Sequence, residues 1–103
     1  MAAHYGLHGY LLAKEGQGKA LAEILLQAAN LMSKAPDCKI YLVSQEANED
    51  EKVWVTEAWT SEQAHDNSLN LPGVKELISQ AMPLLAEPPK GGQKLRILGG
   101  HGL

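Results

Sequence analysis

Between residues 52 and 65 the chain reads KVWVTEAWTSEQAH, and the spacing of its apolar side chains changes halfway along. Up to Trp59 large apolar groups fall on both sides of an extended strand, since successive side chains of a strand point to opposite faces. Residues 60–63, Thr-Ser-Glu-Gln, then fit a capping box in which Thr60 is the cap and Gln63 reaches back. The stretch therefore predicts a strand that turns directly into a short helix ending near Ser68.

The flanking segments complete an α+β pattern. Further strands are predicted over residues 4–13, 39–45 and 93–98, and an amphipathic helix with an apolar stripe over 19–34. A second amphipathic helix is predicted to open at Leu71-Pro72, with Pro in its first turn, and to run until Pro83 interrupts it, while the acidic residues 46–51 form a polar hairpin tip. The order βαββ(α)αβ predicts a ferredoxin-like, split βαβ domain: an antiparallel four-stranded sheet with helices on one face. It fills residues 1–103 as one domain, with a flexible tail at 99–103.

Composition excludes several classes of function. The net charge is -3 and no basic cluster occurs, which argues against nucleic acid and against an anionic membrane as partners. No apolar run is long enough to span a membrane, and the first residues lack the basic start of a secretory leader. The lone Cys38 forms no internal disulfide. These features predict a cytoplasmic protein.

Both faces of the predicted hairpin carry large apolar side chains. Val53, Val55 and Trp59 alternate with Trp54 and Ala58. Helices can cover only one face, and the other would leave an apolar patch in water. The same face of a second copy is the simplest cover, so the sequence predicts a homodimer.

Cofactor and metal motifs are incomplete. Gly16-x-Gly18 lacks the third glycine of a dinucleotide loop and is best explained as a flexible turn. His4 and His8 share a strand face but stand about 13 Å apart, too far to bind one ion. We therefore predict that the protein needs no metal and no organic cofactor.

The segment from Glu57 to His65 combines a carboxylate, the Trp59 indole and an imidazole at a strand-to-helix corner. Such a corner suits a pocket for a flat aromatic ligand. The alternative is a core Trp that closes the sheet edge, with Glu57 and His65 in surface hydrogen bonds. Spacing alone favours this alternative.

Three motifs resemble one known family. Glu57-x-Trp59-x-Ser61-x-x-Ala64 is similar to the signature of the antibiotic biosynthesis monooxygenase (ABM) family, and residues 35–41 (APDCKIY) and 82–89 (MPLLAEPP) resemble its turn before the second strand and its approach to the last strand. The resemblance spans residues 5–98. It implies a dimeric α+β barrel with a ligand cavity between sheet and helices. It also implies, for quinol-oxidising members, reaction of a hydroxy-aromatic with molecular oxygen and no cofactor.

The chain departs from this family at two positions. Val55 stands where anthrone-oxidising members have Asn, and Ser68 stands where many members have His. His65, one helical turn earlier, is the first candidate for the base, and His8 on the first strand is the second.

The resemblance therefore predicts Trp59, His65 and His8 as catalytic residues. It predicts a substrate-binding set of Glu57, Tyr41, Val55, Ser68 and Leu69.

Three functions follow from these observations. The leading hypothesis is a cofactor-independent monooxygenase that oxidises a quinol or similar hydroxy-aromatic with molecular oxygen. The others are an isomerase of a small carbonyl or sugar-like compound, and a non-catalytic dimer that binds a small aromatic. Oxygen consumption separates the first hypothesis from the other two.

Overall fold

The order of elements in the computed structural model is the predicted one. The model describes residues 3–103, so Met1 and Ala2, part of the segment used to argue against a leader, lie outside the described residues. The strands are β1 (Tyr5–Leu12), β2 (Cys38–Glu46), β3 (Glu49–Trp59) and β4 (Gln93–Arg96). The helices are α1 (Gly18–Met32), α2 (Glu62–Ser68) and α3 (Val74–Ala81), and a short 3₁₀ helix, Met82–Leu84, follows α3. Residues 99–103 form neither helix nor strand.

The four strands form one antiparallel sheet in the order β2-β3-β1-β4. This confirms the ferredoxin-like α+β prediction. The hairpin tip is shorter than predicted, because only Ala47 and Asn48 form the turn and Glu46 already pairs with Glu49. All four acidic residues assigned to the tip therefore belong to the strands.

The start of α2 differs from the predicted capping box. The cap is Ser61, whose Oγ accepts the backbone N–H of Ala64 at 3.1 Å. The Thr60 hydroxyl instead donates to Asp37 Oδ1 at 2.9 Å, and so ties the end of β3 to the turn before β2. Thr60 as the cap was wrong because a partner distant in sequence binds its hydroxyl.

The two faces of the sheet have different surroundings. Val53, Val55 and Trp59 lie on the face that α1 and α3 cover, in two apolar clusters with residues such as Leu21 and Met32. The opposite face has no helix over it within residues 3–103, and a side chain there, Leu42, is 56% exposed. The predicted alternation along β3 is therefore confirmed.

A close backbone approach brings the loop at residues 87–92 over β1. A Cβ added to Gly9 would stand 2.6 Å from the Cα of Gly92, a distance that no side chain tolerates. Gly92 has a φ of 70°, in the region that favours glycine. Two glycines thus allow this loop to cross the strand and reach the mouth of the cavity described next.

Candidate functional site

A cavity lies between the sheet and the helices and has two connected lobes. The outer lobe, about 310 Å³, is bounded by β1, β2, β3, α1 and the loop at residues 87–92. The inner lobe, about 280 Å³, extends toward α3. The lobes share five residues: Leu11, Leu25, Tyr41, Leu69 and Pro89. A cavity this size accepts a small aromatic molecule.

Two polar side chains reach into this otherwise apolar cavity. Of the lining residues, only Tyr10, Tyr41 and Glu57 have polar side-chain atoms. The Tyr10 ring packs at a tilt against Trp54, 5.0 Å between centroids, on the opposite face of the sheet. The chemistry available inside the cavity is therefore that of the Glu57 carboxyl and the Tyr41 phenol.

The Glu57 carboxyl accepts a hydrogen bond from Trp59, a residue outside the cavity lining. Trp59 lies two residues along the same strand, so the two side chains share a face, and its Nε1 donates to Glu57 Oε1 at 2.9 Å. His65 Nε2, on α2, lies 3.7 Å from the same oxygen. Within the described residues Oε2 has no partner, which leaves one carboxyl oxygen for a ligand.

The environment of Glu57 favours its protonated form more than water does. Burial raises the pKa of the carboxyl, while the hydrogen bond from Trp59 and the charge of His65 lower it by less. A carboxylate whose pKa is shifted toward neutral is a better proton acceptor than an exposed one. The site thus contains a carboxyl group with a raised pKa in an apolar cavity.

Tyr41 lies directly across the strand pair from Glu57. The two residues are Cα partners in the β2–β3 register, so both side chains stand on the cavity face. Burial, and then the nearby Glu57 carboxylate, raise the pKa of the Tyr41 phenol above its usual range. Tyr41 is therefore a neutral hydrogen-bond donor at any physiological pH.

Four of the eight predicted site residues line the cavity: Tyr41, Val55, Glu57 and Leu69. The other four predicted residues do not line the cavity: Trp59, His65, His8 and Ser68. Trp59 is 1% exposed and belongs to the core cluster with Met32 and Val74. Its N–H is used by Glu57 and is not available to a substrate.

His65 and Ser68 also stand outside the lining. The His65 and Trp59 rings are nearly perpendicular, 5.7 Å between centroids, and His65 Nδ1 lies 3.0 Å from Asp66 Oδ1. Ser68 is buried and its hydroxyl donates to the backbone carbonyl of His65. The Ser68 hydroxyl is therefore used within α2.

The structure does not bring His8 to this cavity. Its Nδ1 is 2.9 Å from Thr56 Oγ1, and its ring stacks on Trp54 at 4.9 Å, both on the opposite face of the sheet. Because its neighbours Leu7 and Gly9 line the cavity, alternation directs His8 the other way. His8 can reach a substrate in this cavity only if β1 shifts its register.

Sequence reasoning missed the wall formed by β1, α1 and the loop at residues 87–92. Leu7, Leu25 and Pro89 contribute to it. An apolar residue on a strand or helix face predicts burial, not a place beside a cavity. The short Pro/Gly run before β4 was the one signal available, and it predicted only a loop.

Two structural features are absent from residues 3–103. No cluster of three or more His, Cys, Asp or Glu side chains there has the arrangement to hold a metal ion. No helix in this part of the chain is long and apolar enough to cross a membrane.

Comparison with known proteins assigns the chain to a family. Residues 5–80 match the family model described as antibiotic biosynthesis monooxygenase, and the chain belongs to this family. A solved structure from Chloroflexus aurantiacus J-10-fl, of a protein named after the same family, is 37% identical with a TM-score of 0.85. The match covers 97% of this chain and 98% of that one.

Two proteins from Nitrosomonas europaea extend the likeness. One is described as of unknown function and is 26% identical, with a TM-score of 0.80 and coverage of 95% of this chain and 92% of its own. The other is named after the ABM family and is 17% identical, with a TM-score of 0.86 and coverage of 95% and 94%. At that identity the likeness shows the fold alone. No curated protein matches the chain in sequence.

Proposed function

We propose that the protein is a cofactor-independent monooxygenase that oxidises a quinol or similar hydroxy-aromatic with molecular oxygen inside this cavity. The observation that carries the proposal is the Glu57 carboxyl, which faces an apolar cavity with one oxygen unpaired among residues 3–103. Membership of the ABM family supports the monooxygenase class. An apolar cavity also suits both reactants, because molecular oxygen and aromatic rings are poorly solvated by water.

The reaction balances without any further reagent. The Glu57 carboxylate accepts a proton from the substrate hydroxyl, and the resulting electron-rich anion transfers one electron to oxygen. The substrate radical and superoxide combine at carbon, and the proton on Glu57 passes to the peroxide. The same carbon then loses its hydrogen as a proton and the O–O bond breaks. One oxygen atom remains in the product as a carbonyl and the other leaves as water.

In this proposal Glu57 is the base and its two neighbours act through it. Trp59 fixes the orientation of the carboxyl by its 2.9 Å hydrogen bond. His65 lies outside the cavity lining, and its Nε2, 3.7 Å from Glu57 Oε1, lowers the pKa of the Glu57 carboxyl through its charge. This replaces the hypotheses in which His65 is the base and Trp59 donates directly to substrate.

Exchange of His65 for Gln separates these roles. A lost general base lowers turnover by about 10²–10⁴-fold. A lost electrostatic neighbour instead raises the pKa of Glu57, because His65 lowers it, and shifts the acid limb of the pH–rate profile upward. We expect that shift, with the rate largely recovered at alkaline pH, and no shift for His4→Ala, an exposed imidazole.

We also propose that two copies associate through the uncovered face of the sheet. The His8 ring stacks on Trp54 there, the Tyr10 ring contacts Trp54 at a tilt, and Leu42 on the same face is 56% exposed. Sedimentation of the 11.1 kDa chain at micromolar concentration should give about twice that mass, and Leu42→Lys should lower it. A monomeric wild type under these conditions contradicts the proposal.

The second candidate function is an isomerase of a small carbonyl compound. A buried carboxylate beside a phenol donor also suits proton transfer next to a carbonyl, without oxygen. Reduced quinones and anthrones supplied to metal-free protein under air and under nitrogen distinguish the two. Oxygen uptake with product under air alone supports the monooxygenase. Product in both gases supports the isomerase, and ligand binding without product supports a non-catalytic binder.

A further inference from the structure

Two polar groups in the cavity have no partner in the protein. Among the described residues, every fully buried side-chain nitrogen or oxygen has a hydrogen-bond partner. Tyr41 Oη and Glu57 Oε2 have none within residues 3–103, and both residues line the outer lobe. Because neither atom is fully buried, both keep some exposure, and a ligand in the outer lobe can supply the missing partners.

The two groups differ in the partner that each needs. A neutral phenol can donate to a ligand oxygen, whereas an ionised carboxylate only accepts. Tyr41 stays protonated because burial and Glu57 both oppose its ionisation. The cross-strand pairing sets the donor and the acceptor side by side, with Cβ atoms about 5 Å apart, on one wall of the cavity.

No other side chain on the wall competes for these roles. Val55, which precedes Glu57 on the same face, offers no polar atom. The Tyr10 hydroxyl lies 3.5 Å from Nζ of Lys90, a residue that lines neither lobe. The recognition pattern in the cavity therefore comes from one donor and one acceptor.

From this juxtaposition we propose that the substrate carries a carbonyl oxygen beside its ionisable hydroxyl on one edge of the ring system, and that Tyr41 selects it. This inference rests on the proposed function, since it assigns the substrate of the same cavity. The hydroxyl hydrogen faces Glu57 and the carbonyl oxygen accepts a hydrogen bond from Tyr41. A hydroxy-aromatic without the neighbouring carbonyl leaves the Tyr41 donor unpaired.

Tyr41 also acts on the first chemical step. When the substrate O–H bond breaks, the proton moves to Glu57 and the electron pair stays on the ring oxygen. Through the conjugated ring that charge spreads to the carbonyl oxygen, where Tyr41 donates. A donor aimed at growing charge stabilises the anion more than the neutral substrate, so Tyr41 assists ionisation as well as binding.

The test uses two isomers that oxygen does not oxidise under the assay conditions, 1-hydroxyanthraquinone and 2-hydroxyanthraquinone. They have the same size, but only the first has its hydroxyl next to a carbonyl. Their visible absorption changes on ionisation, so one titration reports both binding and the protonation state of the bound molecule. The proteins are the wild type, Tyr41→Phe, and Tyr5→Phe as a control, since Tyr5 lines neither lobe.

We expect the wild type to bind the ionised 1-isomer more tightly than the ionised 2-isomer. Tyr41→Phe should lower the affinity for the ionised 1-isomer by about 10- to 100-fold, the range for a hydrogen bond to a charged group. It should also raise the apparent pKa of the bound 1-isomer. The affinity for the 2-isomer should fall by less than about threefold, and Tyr5→Phe should change the affinity for neither isomer. Equal affinity of the wild type for both isomers overturns the proposal, even if Tyr41→Phe does not fold. Equal loss of both isomers in Tyr41→Phe, or no loss, overturns it as well.

This experiment is independent of turnover. If oxygen uptake is absent but the isomer preference and its dependence on Tyr41 hold, the proposed oxidation fails and the recognition remains. If oxygen uptake occurs with hydroxy-aromatics that lack the carbonyl as readily as with those that have it, the recognition fails and the oxidation remains.

Discussion

Replacement of Trp59 by Phe tests whether this indole acts through Glu57. Phe keeps an aromatic ring at a position that is 1% exposed, but removes the N–H that Glu57 Oε1 accepts at 2.9 Å. Truncating a buried aromatic to Ala costs about 3–5 kcal/mol, of which Phe restores the larger share. A hydrogen bond to a charged group adds about 1.5–3 kcal/mol.

These terms give a loss of stability of about 2–4 kcal/mol for Trp59→Phe. For a domain of this size that lowers the melting temperature by roughly 10–25 °C. Thermal unfolding followed by circular dichroism measures the change. The variant should remain folded at 25 °C, so its activity can be compared with that of the wild type.

The effect on activity has a definite sign. The hydrogen bond from Trp59 lowers the pKa of Glu57, so its removal raises that pKa further. A base works only when ionised, and below its pKa each unit of upward shift lowers the ionised fraction about tenfold. The acid limb of the pH–rate profile for oxygen uptake by Trp59→Phe should therefore lie at higher pH than that of the wild type, and the rate should recover as the pH rises.

The other Trp provides the matched control. Trp54 Nε1 donates to Glu46 Oε1 at 3.1 Å on the opposite side of the sheet, the same kind of bond at a Trp that lines neither lobe of the Glu57 cavity. Trp54→Phe should leave the acid limb of the pH–rate profile in place. If Trp59→Phe lowers the rate equally at every pH with an unmoved limb, the indole acts directly on substrate and the reasoning is refuted.

Three further predictions concern stability. Burial raises the pKa of Glu57, so the ionised carboxylate destabilises the fold; this effect is absent below the unfolded pKa of about 4.3 and complete above the folded pKa. Glu57→Gln should therefore raise the melting temperature at pH 8 but not at pH 4. An equal change at both pH values contradicts this. Gly9→Ala places a Cβ 2.6 Å from the Gly92 Cα and should lower the free energy of unfolding by about 1–3 kcal/mol in urea titrations; an unchanged midpoint means that the loop shifts freely. Ser61→Ala removes the acceptor for the Ala64 N–H and should cost about 1 kcal/mol in the same assay; an unchanged midpoint contradicts Ser61 as the cap.

Local patterns predicted the elements and the faces of the fold. The alternation along β3 correctly separated Val53, Val55 and Glu57 from Trp54, because a strand has a fixed period of two. The apolar stripe of α1 likewise identified the helix and its buried side. These features depend on neighbours along the chain, and so they are visible in the sequence.

The site was less predictable, because it depends on contacts between distant segments. The Glu57–Trp59 motif marked the right corner, but the sequence did not reveal that the indole bonds to the carboxyl instead of facing the cavity. The pairing of Tyr41 with Glu57 requires the register of β2 on β3, which no local pattern fixes. The side of β1 on which His8 lies became clear only from its pairing with Thr56.

Oxygen uptake by Glu57→Gln, measured with metal-free protein and a substrate found in the aerobic screen, tests the central proposal most directly. Gln keeps the size of the side chain and an acceptor for the Trp59 N–H, but it cannot take up a proton from the substrate. Glu46→Gln, which changes the Glu bonded to the other Trp, is the control. We predict a loss of about 10²–10⁴-fold for Glu57→Gln and a wild-type rate for Glu46→Gln. Oxygen uptake by Glu57→Gln at the wild-type rate would contradict the assignment of Glu57 as the base.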